Sequence, residues 1–132
     1  MDILGRLIEV ISERPLDQFL QQEIFDLLDM KDTCFEIPKD KISRFGTNHF
    51  VDKDGKLITI DRPSSSAFSR SVSLFSGGGG LISSAMDYLR FAQMLLNHGE
   101  LNGVRLLSPT TVALMQRNQL TKQQPRKGFK FS

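Results

Sequence analysis

The chain has 132 residues, of which 39% are hydrophobic and 24% are charged, and its formal net charge is +2. This length suits one domain with one core, and the near-neutral charge argues against a nucleic-acid or membrane-surface partner. The single cysteine, Cys34, excludes an internal disulfide and a multi-thiolate zinc site. Neither a secretion signal nor the ~20 apolar residues of a membrane span is visible, which together with the lone cysteine favours a cytoplasmic protein.

The first thirty residues predict a helical hairpin. Apolar side chains recur at helical spacing over residues 3–13 and again over residues 16–28. Pro15 suits the first position of the second helix, because its missing N–H would be unpaired there anyway. The pattern ends at residues 29–31, which predict a turn.

Irregular signals follow from residue 32 to residue 75. Asp54-Gly55 predicts a two-residue turn of a β-hairpin, because strand-like apolar residues flank it at 50–51 and 57–60. A serine-rich loop over residues 62–73 then leads to a run of four glycines.

The strongest helix signal follows the glycines. Ser84 is the predicted N-cap, with Asp87 in the capping-box position and Gly99 as the C′ residue. Asp87, Arg90 and Asn97 are expected to face outward. The expected buried face consists of Tyr88, Leu89, Phe91, Ala92, Leu95 and Leu96.

The last elements complete a predicted α+β fold that is mainly helical with two short β-hairpins. Asn102-Gly103 predicts the second hairpin, and Ser108-Pro109 predicts the start of a short final helix. We expect residues 1–120 to form one domain. Residues 121–132 are basic without an apolar pattern, which predicts a loop or a loose, solvated tail rather than a nucleic-acid site.

The glycine run over residues 77–80 is the most unusual feature. It is not a P-loop, because no Gly-Lys-Ser/Thr follows, and Ile82 stands where a dinucleotide fingerprint needs its last glycine. Two interpretations remain open. The loop either runs close to a substrate without intervening side chains, or is a flexible connector that enters a helix.

No metal or organic cofactor is predicted. His49 and His98 have no ligand-like neighbours at metal spacing, and nothing near Cys34 in the sequence would lower its pKa. Asp52 and Asp54 fit a hairpin turn better than a calcium loop.

A search for nucleophile motifs finds none within the 132 residues. Gly-x-Ser-x-Gly is absent, and no serine has a lysine three positions on. Tyr88 is the only tyrosine, and Lys53 begins a Lys-x-Gly triplet only within the predicted hairpin turn. These residues alone therefore assemble no acyl-transfer machinery.

Three segments carry a family resemblance. Residues 2–20 are similar to a helical pair that follows a catalytic tyrosine motif. Residues 24–33 resemble a Phe-x-Pro-Leu-Gly-Met-x-Asp-Thr run, with Leu27 replacing the proline and Asp29 the glycine. Residues 76–91 are the most specific match, and residues 103–109 continue it. Together they resemble the serine β-lactamase-like family of class C β-lactamases, related esterases and D-alanyl-D-alanine peptidases, and the esterase-like branch fits best.

The resemblance implies an interior piece of a serine hydrolase. The Ser-x-x-Lys and tyrosine motifs would precede Asp2, and a Lys-Thr-Gly or His-x-Gly motif would follow Ser132. In the complete enzyme a serine would attack a small ester or lactam substrate, a Lys/Tyr pair would move the proton, and backbone N–H groups would hold the oxyanion. No catalytic residue carries over, so whether this chain is itself an enzyme stays open.

The resemblance also implies a substrate rim on the acyl side of the cleft. Its residues would be Phe75, Ser76, Gly77, Gly78, Gly79 and Gly80. The alternative function is a non-catalytic helical module that binds a partner or itself. For either function, the wide apolar stripes over residues 3–13 and 16–28 predict self-association of the chain.

Overall fold

The computed structural model describes residues 1–119. The predicted fold class is confirmed, since the chain is mainly helical with two separate antiparallel strand pairs, β1–β2 and β3–β4. The predicted tail at residues 121–132 lies outside the described residues. In chain order the elements are α1 (Asp2–Ser12), α2 (Leu16–Leu20), β1 (Asn48–Val51), β2 (Leu57–Asp61), α3 (Ala85–Leu96), β3 (Glu100–Leu101), β4 (Val104–Arg105) and α4 (Pro109–Gln116).

The helical hairpin is confirmed, but its second helix is shorter than predicted. Pro15 is the N-cap of α2 rather than its first residue. After Leu20 the chain widens into a π-helical turn, Gln21–Phe25, in which the Asp26 N–H donates to the Gln21 carbonyl at 2.9 Å. The prediction of a regular helix to residue 28 is therefore wrong. The turn that replaces the end of that helix finishes at Asp29, whose backbone lies in the left-handed region.

The core lies where the end of this hairpin meets α3. Its buried members are Phe25, Leu28, Met30 and Met94. Partly buried side chains from α2, the π-helical turn, α3, β3 and the segment after β4 surround them, namely Leu20, Ile24, Phe91, Leu95, Leu101 and Leu106. Residues far apart in the sequence thus hold α3 against the hairpin, and α3 in turn positions the loop that precedes it.

Both ends of α3 are capped. Ser84 is confirmed as the N-cap, since its Oγ accepts from the Asp87 N–H at 3.2 Å. At the other end His98, not Gly99, takes the left-handed C′ position, with φ 58°. The His98 N–H donates to the Leu95 carbonyl and the Gly99 N–H to the Met94 carbonyl, which is a Schellman arrangement. The predicted C′ assignment is therefore one residue late.

The predicted buried face of α3 is only partly buried. Phe91 and Leu95 contact the core, whereas Tyr88 is 69% exposed and Leu96 71%. Leu89 and Ala92 are exposed as well. The two buried residues of α3 are Met94, which the predicted face left out, and Asp87, which was predicted to face outward. The predicted face is therefore wrong in orientation: the buried side of α3 is turned toward Asp87 and Met94 and shares only Phe91 and Leu95 with it.

Both predicted hairpins are present. Asn102 and Gly103 have φ values of 51° and 82°, as a two-residue type I′ turn requires. The first hairpin has a wider turn than predicted. The Gly55 N–H donates to the Asp52 carbonyl and the Asp52 N–H to the Lys56 carbonyl, so residues 52–56 link the strands.

Candidate functional site

The six predicted rim residues lie on one loop, residues 75–80, which we call the glycine loop. The loop rests on the first turn of α1, where the Ser76 Oγ donates to the Asp2 carboxylate at 2.7 Å. The Gly78 N–H donates to the same Ser76 Oγ at 3.2 Å. Next to Ser76, the Phe75 ring lies 5.1 Å from the Phe35 ring. The first residues of the loop are therefore anchored, unlike those of a free connector.

Close packing affects three of the four glycines and is tightest at Gly77 and Gly80. A Cβ on Gly77 would lie 2.9 Å from the Met1 carbonyl oxygen and 3.2 Å from the Gly5 backbone. A Cβ on Gly80 would lie 3.0 Å from the Phe35 ring. At Gly79, by contrast, nothing lies within 4 Å of such an atom. Packing therefore gives no reason for a glycine at position 79.

A cavity of about 260 Å³ adjoins the glycine loop. Leu20, Phe35 and Leu81 line it together with the loop itself. Apolar side chains and bare backbone thus face the same space, which suits an apolar group more than a charged one.

The contrast between Gly77 and Gly79 gives a stability prediction. We expect Gly77→Ala to lower the free energy of unfolding by about 1–3 kcal/mol, because the added methyl overpacks against backbone atoms of α1. Gly79→Ala should leave the free energy of unfolding unchanged or raise it by up to about 1 kcal/mol. The reason is that alanine gives the unfolded chain less conformational freedom than glycine does, without a clash in the folded loop. Urea midpoints at one protein concentration measure both. Equal midpoints for the two variants would contradict the close packing of the loop on α1.

A buried carboxylate joins two of the segments that carry the family resemblance, residues 24–33 and 76–91. Asp87 on α3 is 2% exposed. Its Oδ2 accepts from the Asp32 N–H at 2.7 Å and from the Thr33 Oγ1 at 2.9 Å, while its Oδ1 accepts from Arg90 at 3.0 Å. The expectation of an outward Asp87 that bonds to the helix cap is thus wrong, because the turn at residues 32–33 brings better donors to it.

Backbone pairing continues this junction toward the glycine loop. Cys34 and Ile82 exchange two N–H···O bonds, of 3.1 and 2.9 Å. The Ser83 Oγ lies 2.7 Å from the Thr33 Oγ1. These contacts fix the segment between the glycine loop and α3, so the loop is attached to rigid structure on both sides.

Asp32 stands at the surface edge of the junction. Its carboxylate accepts two bonds from the Arg44 guanidinium, at 2.9 and 2.7 Å, and one from the Lys41 ammonium at 2.8 Å. Hydrogen bonds from Arg44 first, and then from Lys41, hold the pKa of the Asp32 carboxyl well below its usual range.

This pairing predicts an acid-sensitive contribution to stability. An aspartate whose pKa falls on folding stabilises the fold above its unfolded pKa of about 3.9, and the contribution is lost as the pH falls further. Asp32→Asn should therefore lower the urea midpoint at about pH 6, and the gap to the parent chain should narrow toward about pH 2. The exposed Asp54→Asn serves as the control. A gap that is constant with pH would contradict the pairing.

The other candidate residues are not brought together. His49 lies on β1 and His98 at the end of α3, and no metal-binding cluster of His, Cys, Asp or Glu occurs among residues 1–119. Burial raises the pKa of the Cys34 thiol, which makes it less reactive. In the same described part of the chain, no helix is long and apolar enough to cross a membrane.

Sequence reasoning missed the junction around Asp87. The sequence offered only two signals of this junction. One is Asp87 beside apolar positions of a helix, and the other is the Asp32-Thr33 pair after an apolar run. Neither signal shows that the two segments, more than fifty positions apart, meet in space.

Comparisons with known proteins agree with this architecture. The Beta-lactamase family model matches residues 1–131. Protein Rv1367c of Mycobacterium tuberculosis (strain ATCC 25618 / H37Rv) is 36% identical over 131 residues, which are 98% of this chain and 32% of that protein. A mutant of simvastatin synthase (LovD) from Aspergillus terreus has a TM-score of 0.80 at 30% identity, over 92% of this chain and 29% of that one.

A third similarity concerns the fold alone. EstCE1, described as a hydrolase with promiscuous acyltransferase activity, has a TM-score of 0.68 at 23% identity, over 86% of this chain and 32% of its own. The chain spans about a third (32%) of the length of the curated relatives that it matches. Since the family match runs along nearly the whole sequence, and the matched segments meet at Asp87, the chain belongs to the β-lactamase family.

Proposed function

We propose that this chain is the helical part of a serine hydrolase or acyltransferase that acts on small ester or β-lactam substrates, with esters favoured. One observation carries the proposal. The glycine loop rests on the first turn of α1, through the Ser76–Asp2 hydrogen bond and the approach of Gly77 to Gly5. In the family resemblance the catalytic tyrosine comes just before this helix, so the loop would border the reacting centre.

The contribution of this chain would be a low wall beside the acyl group. Gly77, Gly78 and Gly79 are exposed and present backbone without side chains. A bulky acyl group needs such space on one side of the attacked carbonyl. The adjoining cavity, with Leu20 and Phe35 in its lining, would receive the apolar end of that group.

The chemistry itself would reside in other segments of the complete enzyme. A serine activated by a Lys/Tyr pair would form an acyl-enzyme, and backbone N–H groups would hold the oxyanion. One structural neighbour at 30% identity is named a synthase. The proposal therefore includes transfer of the acyl group to an acceptor other than water. The proposal includes no cofactor. It includes a cytoplasmic location, which the single cysteine favours.

A fluorophosphonate probe with intact-mass detection tests this proposal. The 132-residue chain should gain no adduct, because none of its serines has a lysine three positions on. A longer chain, extended at both ends to the length of its relatives, should be labelled at one serine of a Ser-x-x-Lys motif. Stoichiometric labelling of the 132-residue chain would contradict the inactivity of this part.

The exposed apolar side of α1 favours a second candidate, a non-catalytic module that binds a partner or itself. The same experiment separates the two. A folded, extended chain in which no serine reacts with the probe would support the binding module and overturn the enzyme.

A further inference from the structure

The cavity beside the glycine loop has a mostly apolar lining, to which Leu20, Phe35 and Leu81 contribute. Among the residues 1–119 that line it, none carries a charged side chain. The hydroxyl of Ser76 already donates to Asp2 and accepts from an N–H of the loop. An apolar group would therefore enter this space without displacing a charge or a free hydroxyl from water.

Phe35 forms the deep end of the cavity, since its side chain is only 4% exposed. The Phe75 ring packs on it, and the residue before it, Cys34, is joined to Ile82 by two backbone hydrogen bonds. The lack of a side chain at Gly80 lets the loop lie against the same ring, because a Cβ there would be 3.0 Å from two of its atoms. This end of the cavity is therefore formed before any ligand binds.

Leu81 lies at the open end of the cavity and is 40% exposed. Leu20, by contrast, packs against the buried core of Phe25, Leu28, Met30 and Met94. A change of size at position 20 would disturb that core, whereas a change at position 81 has solvent on one side. Leu81 is thus the apolar lining residue whose size can alter the cavity at the smallest cost to the fold.

The volume of the cavity limits what it can hold. A dry apolar cavity of about 150 Å³ takes benzene, which has six carbon atoms. On that scale, 260 Å³ takes about ten carbon atoms. Pockets that enclose a whole small molecule measure about 300–1,000 Å³, so this one suits a single arm of a ligand.

From these observations we infer that the cavity binds the alkyl chain of a medium-length acyl group, of about six to ten carbons, and that Leu81 sets the size of chain that fits. The inference rests on the proposed function, in which the acyl group belongs to an ester. It adds the class of acyl group and a residue that determines specificity.

Binding of 1-octanol and 1-butanol to the 132-residue chain tests the inference without any enzymatic activity. In amide NMR spectra, octanol should cause saturable shifts at residues 35 and 76–81. Butanol should bind there at least about tenfold more weakly, because it lacks four methylene groups. Leu81→Trp fills the cavity and should weaken octanol binding at least about tenfold. Leu57→Trp on β2, at a residue that is 65% exposed, should leave the affinity unchanged.

A groove between α1 and Phe19 of α2 is a competing site for octanol, since Leu4, Leu7, Ile8 and Ile11 line it. The position of the shifts separates the two sites. Octanol shifts that are confined to α1 and α2, with none at residues 76–81, would overturn the inference. Equal octanol affinities of Leu81→Trp and Leu57→Trp, both with the circular dichroism of the parent chain, would overturn the role of Leu81.

A longer, active chain tests the same residue through its substrates. Leu81→Trp should raise kcat/KM for p-nitrophenyl butyrate relative to the octanoate by at least about tenfold, and Leu81→Ala should shift the preference toward the dodecanoate. Ratios that neither variant alters would overturn the inference. An extended chain that reacts with the fluorophosphonate probe, while the 132-residue chain binds no octanol at residues 76–81, would overturn the inference alone. Octanol binding at those residues with no reactive serine would instead overturn the proposed function and leave the alkyl-binding cavity in place.

Discussion

Gly99→Ala should lower the free energy of unfolding by about 3–5 kcal/mol. A Cβ at this position would lie 2.2 Å from the Leu107 carbonyl oxygen, and the residue has φ +94°. The backbone has little room to retreat, because the Gly99 carbonyl accepts from the N–H groups of both Leu106 and Leu107. Steric overlap therefore adds to the cost of a left-handed conformation, and thermal or urea unfolding at fixed concentration measures the sum.

Gly103→Ala is the matched control. Gly103 also has a left-handed backbone, with φ +82°, but nothing lies within 4 Å of its added Cβ. We expect the free energy of unfolding to fall by about 1–2 kcal/mol, which is the cost of the left-handed backbone conformation alone. If the two alanine variants unfold at the same midpoint, the close approach of Leu107 to Gly99 is wrong.

Asp87→Ala should cost about 3–4 kcal/mol. It removes the acceptor of three hydrogen bonds and leaves the Asp32 N–H, the Thr33 hydroxyl and the Arg90 guanidinium to find other partners. Since Asp87 and Thr33 are buried, water cannot simply replace the lost oxygens. The variant should also loosen the junction, which amide hydrogen exchange at residues 32–34 and 82–84 would detect as faster exchange.

Two further variants test whether the Asp87 carboxylate itself causes this loss of stability. Asp87→Asn keeps one acceptor oxygen and should lose less than Asp87→Ala, while Asp54→Ala in the exposed hairpin turn should change stability by less than about 0.5 kcal/mol. A loss at Asp87 no larger than that at Asp54 would show that the carboxylate does not hold the junction together.

Local elements were predictable from the sequence because neighbouring residues determine them. Ser84 caps α3 and Ser108 caps α4 through bonds to N–H groups three residues on. Asn102 and Gly103 adopt the left-handed backbone of a two-residue turn because they are among the residue types that tolerate it. In each case the deciding contact lies within four positions.

The parts that depend on distant contacts were not predictable. Asp87 is buried because a turn more than fifty positions earlier supplies its donors. Tyr88 and Leu96 are exposed because an apolar pattern does not show which side of a helix another element covers. The π-helical turn after Leu20 has no recognisable residue signature either.

The candidate site also has a part that the sequence predicts and a part that it does not. The glycine run is conspicuous in the sequence, and the family resemblance assigns it to a substrate rim. Its attachment to α1 joins residues 74 positions apart, Ser76 and Asp2, so only the structure reveals it. The difference between the packed Gly77 and the open Gly79 is likewise a property of the fold.

Acyl-chain selectivity tests the central claim, the rim beside the acyl group, most directly. The measurement compares kcat/KM for p-nitrophenyl octanoate and acetate in a longer, active chain that carries Gly79→Leu. The added side chain enters open space, so the fold should persist, and activity on the octanoate should fall by at least about tenfold relative to the acetate. Gly46→Leu, also in open space but outside the loop, should leave the ratio unchanged. A ratio that is unaltered by Gly79→Leu would contradict the account.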